Sequence, residues 1–286
     1  MKKILVPTDF SKEAQTAAEV ASGIARKSGA QLILLHVIEE GSKQSFKVTG
    51  EIAYADMEDK LFTMRLIDRS RKQMQRLAES SIFSGVKVIQ ELRMGSPYHG
   101  MRAIITEQKV DLVVMGTAGK SNLAEMIIGS NTEKVVRYAH CPVLTIQKKP
   151  IRSDFKNIVY ATSMNKDEEV FSRVVKNAQA MYNSTIHLVR VNTPGNFQRD
   201  AVVKKYMNDF AKKLQLKNYT VNVFNDITEE EGIIYFADSI NADMIAMATH
   251  GRTGFAHVLA GSIAEDVVNH SKRPVLTFVV KQKRRK

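Results

Sequence analysis

The sequence holds one cysteine and no apolar run long enough to span a membrane. Cys141 is the only thiol among 286 residues, so no disulfide can form within the chain, and a reducing, cytoplasmic setting is expected. No apolar stretch reaches the roughly 18 residues of a transmembrane helix. The run after the two N-terminal lysines stops at Pro7 and Asp9, too short for a signal peptide. We therefore expect a cytoplasmic globular protein with no membrane partner.

Acidic residues are outnumbered, and much of the imbalance lies in a short tail. The chain has 42 Lys and Arg against 30 Asp and Glu, a net charge of +12. Residues 281–286, KQKRRK, add five of those positive charges. Such a tail can bind nucleic acid, but no aromatic residues alternate with its charges as a single-strand groove requires. A solvated terminus is favoured, and nucleic acid is not an expected partner.

Several common catalytic motifs are missing as well. The seven histidines include no pair at the H-E-x-x-H spacing of a zinc enzyme, and no serine nucleophile elbow occurs. Gly119-Lys120-Ser121 ends like a P-loop, yet the position five residues before Gly119 holds Val114, inside a predicted strand. We reject a P-loop NTPase and predict neither a metal site nor a catalytic residue.

The chain repeats itself once. Residues 3–8 (KILVPT) resemble residues 157–162 (NIVYAT), and residues 111–115 (DLVVM) resemble residues 243–247 (DMIAM). Two copies of about 140 residues indicate a tandem duplication rather than a solenoid of short repeats.

Each copy alternates segments with strand and helix patterns. In the first copy, the continuous apolar runs at 31–38 and 111–116 predict strands covered on both faces, as in parallel sheets. Alanines at helical spacing from Ser11 to Ser28 predict a helix with Ser11 as its N-cap. The weaker alternation at 86–92 predicts the third strand.

The order of these elements predicts an α/β protein of two tandem, doubly wound domains, each with a five-stranded parallel sheet. We place the domains at residues 1–149 and 154–281. Ligands of such sheets bind beyond the carboxyl ends of the strands, where the strand order reverses.

Two polar features stand at those carboxyl ends. The first is Thr8-Asp9, after the first strand. The second is the motif G-x2-G-x9-G-S, which starts at residue 116 and ends directly before a predicted helix. The free N–H groups of a first helical turn favour a phosphate. Glycines that only form tight turns are the alternative, but the full motif after a buried strand is more specific than a lone pair of glycines.

On these motifs the chain resembles the universal stress protein family, and the resemblance covers both halves. It is carried by ILVPTDFS at 4–11, the glycine motif at 116–130 and CPVL at 141–144. The resemblance implies a Rossmann-like fold of the adenine nucleotide alpha hydrolase type. It also implies that the two domains pack as a pseudo-dimer, with the fifth strands near 143–147 and 275–280 at the contact.

The ATP-binding branch of that family implies a nucleotide site in the first domain. There the glycine motif holds the phosphates and ribose, the aspartate after the first strand lies near the nucleoside, and a residue ending the second strand meets adenine. By this resemblance the ligand is ATP or AMP, with or without Mg²⁺. For Asp9, a ribose contact and a turn role before the helix both remain open. The implied contact residues are Pro7, Thr8, Asp9, Val37, Gly116, Gly119, Gly129, Ser130, Asn131 and Thr132.

The second copy departs from this pattern at two places. Ser163 stands where the first copy has Asp9, so the acid is lost, and Ala248 stands where it has Gly116. An alanine methyl can block close approach of a ligand to the backbone. The Gly-Ser pair at 261–262 remains. We expect one tight nucleotide site per chain, in the first domain, and weak binding or a structural role in the second.

The resemblance implies a regulatory protein of the stress response rather than an enzyme. Nucleotide would order a loop and change the surface presented to an unidentified protein partner. A homodimer of the tandem chain is a further expectation. A slow ATPase or nucleotidyl-transfer enzyme, and an adaptor without nucleotide, are the alternatives. No general base is evident near the phosphates, so weak ATP hydrolysis is the most that we expect.

Overall fold

The structure, a computed structural model, covers most of both copies. It describes residues 1–39, 55–117, 128–150, 154–165, 168–250 and 263–280. The strands of the first copy are β1 (Lys3–Pro7), β2 (Gln31–Ile38), β3 (Val88–Met94), β4 (Leu112–Gly116) and β5 (Val143–Ile146). Its helices are α1 (Lys12–Ser28), α2 (Ala55–Ala78), α3 (Pro97–Glu107) and α4 (Ser130–Tyr138).

The second copy follows the same order. Its strands are β6 (Asn157–Ala161), β7 (Thr185–Asn192), β8 (Tyr219–Asn225), β9 (Met244–His250) and β10 (Val275–Val280). Its helices are α5 (Glu169–Tyr182), α6 (Asp200–Lys213), α7 (Glu229–Ser239) and α8 (Ile263–His270). The sequence pattern located the third strand of the first copy at 86–92, two residues early.

All ten strands join one sheet, in the order β3-β2-β1-β4-β5-β10-β9-β6-β7-β8. Strands pair in parallel within each copy, and the order of each half is that of a doubly wound sheet. The halves meet where β5 pairs antiparallel with β10, so that Leu144 lies opposite Leu276. The predicted fold and the predicted contact through the fifth strands are both confirmed, and that contact makes the sheet continuous.

The core lies on both faces of this sheet, as the continuous apolar strands predicted. Residues 32–35 of β2 are almost completely buried. Helix α1 covers one face with a row of alanines, Ala17, Ala18 and Ala21, all of them fully buried. Their small side chains let the helix lie close to the strands. Ser11 caps the helix as predicted, since its Oγ accepts a hydrogen bond from Ala14 N at 3.1 Å.

The two copies share unusual backbone conformations at equivalent positions. Phe10 (φ 62°) and Met164 (φ 61°) are both left-handed, at equivalent positions just after β1 and β6. Lys109 (φ 52°) and Asn241 (φ 50°) form a second equivalent pair. Left-handed residues other than glycine are uncommon. The same turn geometry therefore follows the first strand of each copy. In the part of the chain that the structure describes, no helix is long and apolar enough to cross a lipid bilayer.

Candidate functional site

Three strand ends of the first copy meet at one edge of the sheet. Strand β1 lies between β2 and β4, and the strand order reverses between β1 and β4. Thr8 N donates to Leu35 O at 2.8 Å, and Thr8 O lies 2.8 Å from His36 Nδ1. The predicted residues Pro7, Thr8 and Asp9 therefore lie beside the end of β2, which carries Val37. This is the crevice where ligands of doubly wound sheets bind.

Asp9 shapes the turn between β1 and α1. Its Oδ1 accepts a hydrogen bond from Ser11 N at 2.9 Å, and Thr8 Oγ1 accepts one from Phe10 N at 3.0 Å. These two bonds hold the left-handed residue and aim the chain into the helix. Of the two roles left open for Asp9, the turn role is present in the structure, and the ribose contact stays a prediction.

Gly116 has a packing reason to be glycine. A Cβ built there would lie 3.1 Å from the backbone carbon of Glu13 and 3.2 Å from its oxygen, both in the first turn of α1. Glycine thus lets α1 approach the end of β4, whatever binds nearby. Gly119, the next glycine of the motif, lies outside the described residues.

Gly129 is different, because no described residue needs the space that its side chain would fill. Its φ is −62°, which any residue can adopt, and among the described residues an added Cβ would meet Thr117 O alone, at an ordinary 3.6 Å. As the N-cap of α4 it offers no side-chain acceptor to the first-turn amides. Thr132 Oγ1 donates to Gly116 O at 3.1 Å and fixes the helix start at the end of β4. The amides of Ser130, Asn131 and Thr132 therefore begin the helix at the crevice.

Glycines in α3 and α7 let these two helices lie close to the strand ends beside the crevice. The sequence analysis did not identify these glycines. A Cβ at Gly100, in α3, would come within 2.8 Å of a methyl group of Val37. A Cβ at Gly232, in α7, would come within 2.5 Å of a methyl group of Val191. Each helix can lie against the end of the second strand of its copy only because it carries glycine there. A comparison of the two copies position by position would have found this pair.

The second copy makes hydrogen bonds to the turn at residues 128–129 of the first copy, across the contact between the domains. Ile128 N, one residue before Gly129, donates to Asn269 Oδ1 at 2.9 Å. Gln147 Nε2 donates to Asn269 O, also at 2.9 Å. Arg137 and Glu265 form a bidentate ion pair at 2.9 and 2.6 Å, which raises the pKa of the guanidinium above its ordinary value. The start of α4 is thus fixed by both domains.

Comparison with known proteins identifies the family. The model of the universal stress protein family matches residues 1–147 and again residues 154–279. The chain belongs to the universal stress protein family. Its two matched regions make it a tandem member, while the exact domain limits at 149 and 281 stay a prediction.

Individual relatives agree with this assignment. Universal stress protein MJ0577 of Methanocaldococcus jannaschii is 31% identical over 156 residues, which are 52% of this chain and 96% of that protein. Universal stress protein MJ0531 of the same organism is 31% identical over 153 residues, 51% of this chain and 82% of that protein. The crystal structure of a universal stress protein from Archaeoglobus fulgidus shares the fold, with a TM-score of 0.69, 20% identity and coverage of 98% of this chain and 97% of that one.

The second universal stress protein domain has an acid at its crevice after all. The loss of Asp9 at Ser163 suggested an acid-free turn, but the carboxylate of Glu168, 2% exposed, lies there instead. Thr162 Oγ1 donates to it at 2.6 Å and Ser163 Oγ at 2.7 Å. The acid comes from the start of the helix rather than the end of the strand, so alignment of the strand ends alone could not find it.

The single cysteine of this universal stress protein is a structural group. Cys141 is buried, and burial raises the pKa of its thiol to about 12. A thiol of that pKa stays protonated and unreactive near neutral pH. Among the described residues, no group of three or more His, Cys, Asp or Glu is placed to hold a metal ion.

Proposed function

We propose that the first domain binds ATP or AMP between the ends of β1 and β4. The protein then acts as a nucleotide-responsive regulator in the stress response. The observation that carries this proposal is the start of α4, where Gly129 offers no side-chain cap to the first-turn amides and no described residue fills the space beside it. A helix start of this kind favours phosphate oxygens.

The remaining contacts follow from the family resemblance and the positions of the strand ends. The amides of Ser130, Asn131 and Thr132 would bind phosphates, together with the glycines of the motif. Asp9, beside Pro7 and Thr8, would meet the ribose. Val37, against which Gly100 of α3 packs, would contact adenine through its backbone. If Mg²⁺ accompanies ATP, the phosphates and water would supply most of its ligands.

A regulatory role is supported by the path from this site to the second domain. Ile128 donates to Asn269 directly before the glycine turn. A nucleotide that orders the turn would favour one arrangement of the Ile128–Asn269 contact. It would thereby favour one arrangement of the protein surface that a partner could bind. A protein partner that reads this surface stays a prediction, as does a homodimer of the tandem chain.

An enzyme that hydrolyses ATP slowly is the second candidate, and a turnover assay separates the two. The Oδ1 atom of Asp9, the predicted acid of the site, accepts a hydrogen bond from the Ser11 amide within the turn. We expect no turnover beyond slow background, with or without magnesium. Hydrolysis of many ATP molecules per chain in a magnesium-dependent manner would favour the enzyme.

Binding is tested by calorimetry with ATP and AMP on the parent chain and three variants. Gly129→Val should abolish binding in a folded protein, because the branched side chain fills the space before the amides. Gly195→Val is the matched control, since a Cβ at that exposed turn meets nothing within 4 Å. Asp9→Ala should weaken binding by about 1–3 kcal/mol if Asp9 contacts the ribose. Parent-like affinity in folded Gly129→Val would refute the phosphate assignment.

A further inference from the structure

The second copy ends the sheet in a strand without charges. Strand β8 stands last in the strand order and pairs with β7 along its whole length. Its sequence, YTVNVFN, contains no charged residue and no proline, and its valines and aromatic residues favour an extended chain. The outer side of an edge strand presents unpaired N–H and C=O groups, on which another strand can pair.

The alternation of backbone groups shows which residues of β8 point outward. Ile186 N donates to Asn218 O before the strand, and Asp226 N donates to Asn192 O after it. In a parallel pair of this register, the even-numbered residues of β8 therefore bond to β7. The outward N–H and C=O groups belong to Tyr219, Val221, Val223 and Asn225. No described residue forms a hydrogen bond with these outward groups.

The equivalent strand at the other end of the sheet is protected by charges. Glu91 of β3 pairs with Leu35 just as Asn222 of β8 pairs with Val189, so these two positions correspond. Glu91 lies 3.5 Å from the guanidinium of Arg93, on the same strand. Charged side chains on an edge strand discourage pairing with another chain. Strand β8 lacks this protection at the same position.

We propose that β8 pairs antiparallel with β8 of a second copy of this chain, about a two-fold axis at Asn222. Of the antiparallel two-fold registers, the one centred there pairs all seven residues of the strand. Val221 of one copy then lies opposite Val223 of the other, and each such pair exchanges two backbone hydrogen bonds. The two ten-stranded sheets become one, by the same kind of edge contact that joins β5 to β10 within the chain.

The charges beside the strand fit this antiparallel arrangement. Lys217 precedes β8 and Asp226 follows it, so antiparallel pairing brings the lysine of each copy near the aspartate of the other. A parallel pair in register would instead place like charges together. Ile227, which is 78% exposed, lies opposite Lys217 of the other copy and is partly covered by its aliphatic stem.

The residue on the axis explains why the assembly closes as a dimer. Asn222 faces Asn222 of the other copy, and two side-chain amides can bond to each other. The same pairing of β3 would set Glu91 against Glu91, and like charges directly opposite destabilise a strand pair. The β3 edge therefore stays unpaired, and the two-fold contact cannot extend into a filament. This interface does not depend on whether the first domain binds nucleotide.

Sedimentation equilibrium of the full chain without nucleotide tests the proposal, and the parent should form a dimer. Val221→Pro removes an outward N–H and costs no bond to β7, as proline at an edge requires. It should raise the dissociation constant of the dimer about tenfold to a hundredfold. Gln90→Pro is the matched control, because Gln90 holds the equivalent position on β3. It should leave the dissociation constant within about twofold. Circular dichroism verifies that both variants fold.

Two further changes keep the test decisive if proline disturbs the fold. Asn222→Glu gives β8 the residue that β3 carries, and it should also raise the dissociation constant about tenfold or more. Lys217→Glu should raise it about twofold to fivefold, and Asp226→Lys in the same chain should restore it.

Three results would overturn the proposal. They are a parent chain that stays monomeric or grows beyond a dimer, a parent-like dimer in folded Val221→Pro or Asn222→Glu, and a Lys217→Glu defect that Asp226→Lys does not repair. The ATP titration of Gly129→Val bears only on the first domain, so the two proposals can fail separately.

Discussion

Replacing Glu168 tests how the second domain holds the turn after its first strand. This carboxylate is 2% exposed and accepts five hydrogen bonds, two from backbone amides and three from hydroxyl groups. In Glu168→Ala all five donors lose their acceptor. The hydroxyls can turn to other partners, and water can enter from the cavity that Glu168 lines at the ends of β6, β7 and β9. The backbone amides of Ser163 and Asn165 cannot turn in this way.

The expected cost can be estimated from these contacts. Leaving a buried donor unpaired costs about 1–3 kcal/mol. With two fixed amides and partial rescue of the hydroxyls, we expect Glu168→Ala to lower the free energy of unfolding by about 3–5 kcal/mol. Glu168→Gln keeps one acceptor oxygen for the amides, so its cost should be smaller, about 1–3 kcal/mol.

Urea denaturation of the full chain, followed by circular dichroism, measures these differences. Glu169→Gln is the matched control, since Glu169 is the next residue, is exposed and pairs with Lys213 at the surface. Surface pairs of this kind contribute about 0–1 kcal/mol. If Glu168→Ala unfolds with the same midpoint as Glu169→Gln, the carboxylate does not hold the turn and the reasoning is wrong.

Three further predictions concern the domain contact, the thiol and His187, whose pKa is lowered. Glu265→Gln should lower the free energy of unfolding by about 1–3 kcal/mol, because it breaks the bidentate ion pair with Arg137. Glu133→Gln is the control: Glu133 is an exposed partner of the same guanidinium, so its replacement should lower the free energy of unfolding by under about 1 kcal/mol. Cys141 should resist iodoacetamide at pH 8 in the folded protein and react once the chain is unfolded; rapid native alkylation would contradict its burial. Burial lowers the pKa of His187 below 6.5, so protonation favours the unfolded chain. Stability should therefore fall as the pH drops below about 6.5, and fall less in His187→Gln; parallel pH profiles would contradict this assignment.

Much of the fold could be predicted from the sequence, because its strands are buried on both faces. A continuous apolar run such as that of β2 fits a covered parallel strand, and the repeat transfers each assignment to the second copy. The contact through β5 and β10 came from the family resemblance, since periodicity within one copy says nothing about what lies beside its edge strand.

The features that the sequence analysis missed depend on unusual backbone or on distant contacts. Phe10 and Met164 are left-handed although bulky apolar residues do not signal that conformation. Glu168 replaces Asp9 from another element, so no alignment of strand ends reveals it. Asn269 contacts Ile128 across 141 positions of the chain, which only the folded domain contact brings together.

For the candidate site, the sequence indicated one edge of the sheet, which stays a prediction, and did not reveal the packing role of each residue. Gly116 was interpreted as room for a ligand, whereas the structure shows that α1 uses that room through Glu13. Gly129 has no such packing need against the described residues, so for Gly129 the ligand interpretation stays a prediction. Side-chain volume around a glycine is a property of the packed structure, and the motif alone cannot distinguish the two cases.

The most direct test of nucleotide binding by the first domain is the stoichiometry of ATP in a calorimetric titration of the full chain. We predict one tight site per chain, absent in folded Gly129→Val and unchanged in Thr249→Val, a change at the end of β9 in the second domain, because the first copy has Asp9 and Gly116 where the second has Ser163 and Ala248. Two equal sites per chain, or a single site that survives Gly129→Val and disappears in Thr249→Val, would contradict the assignment of the nucleotide to the first domain.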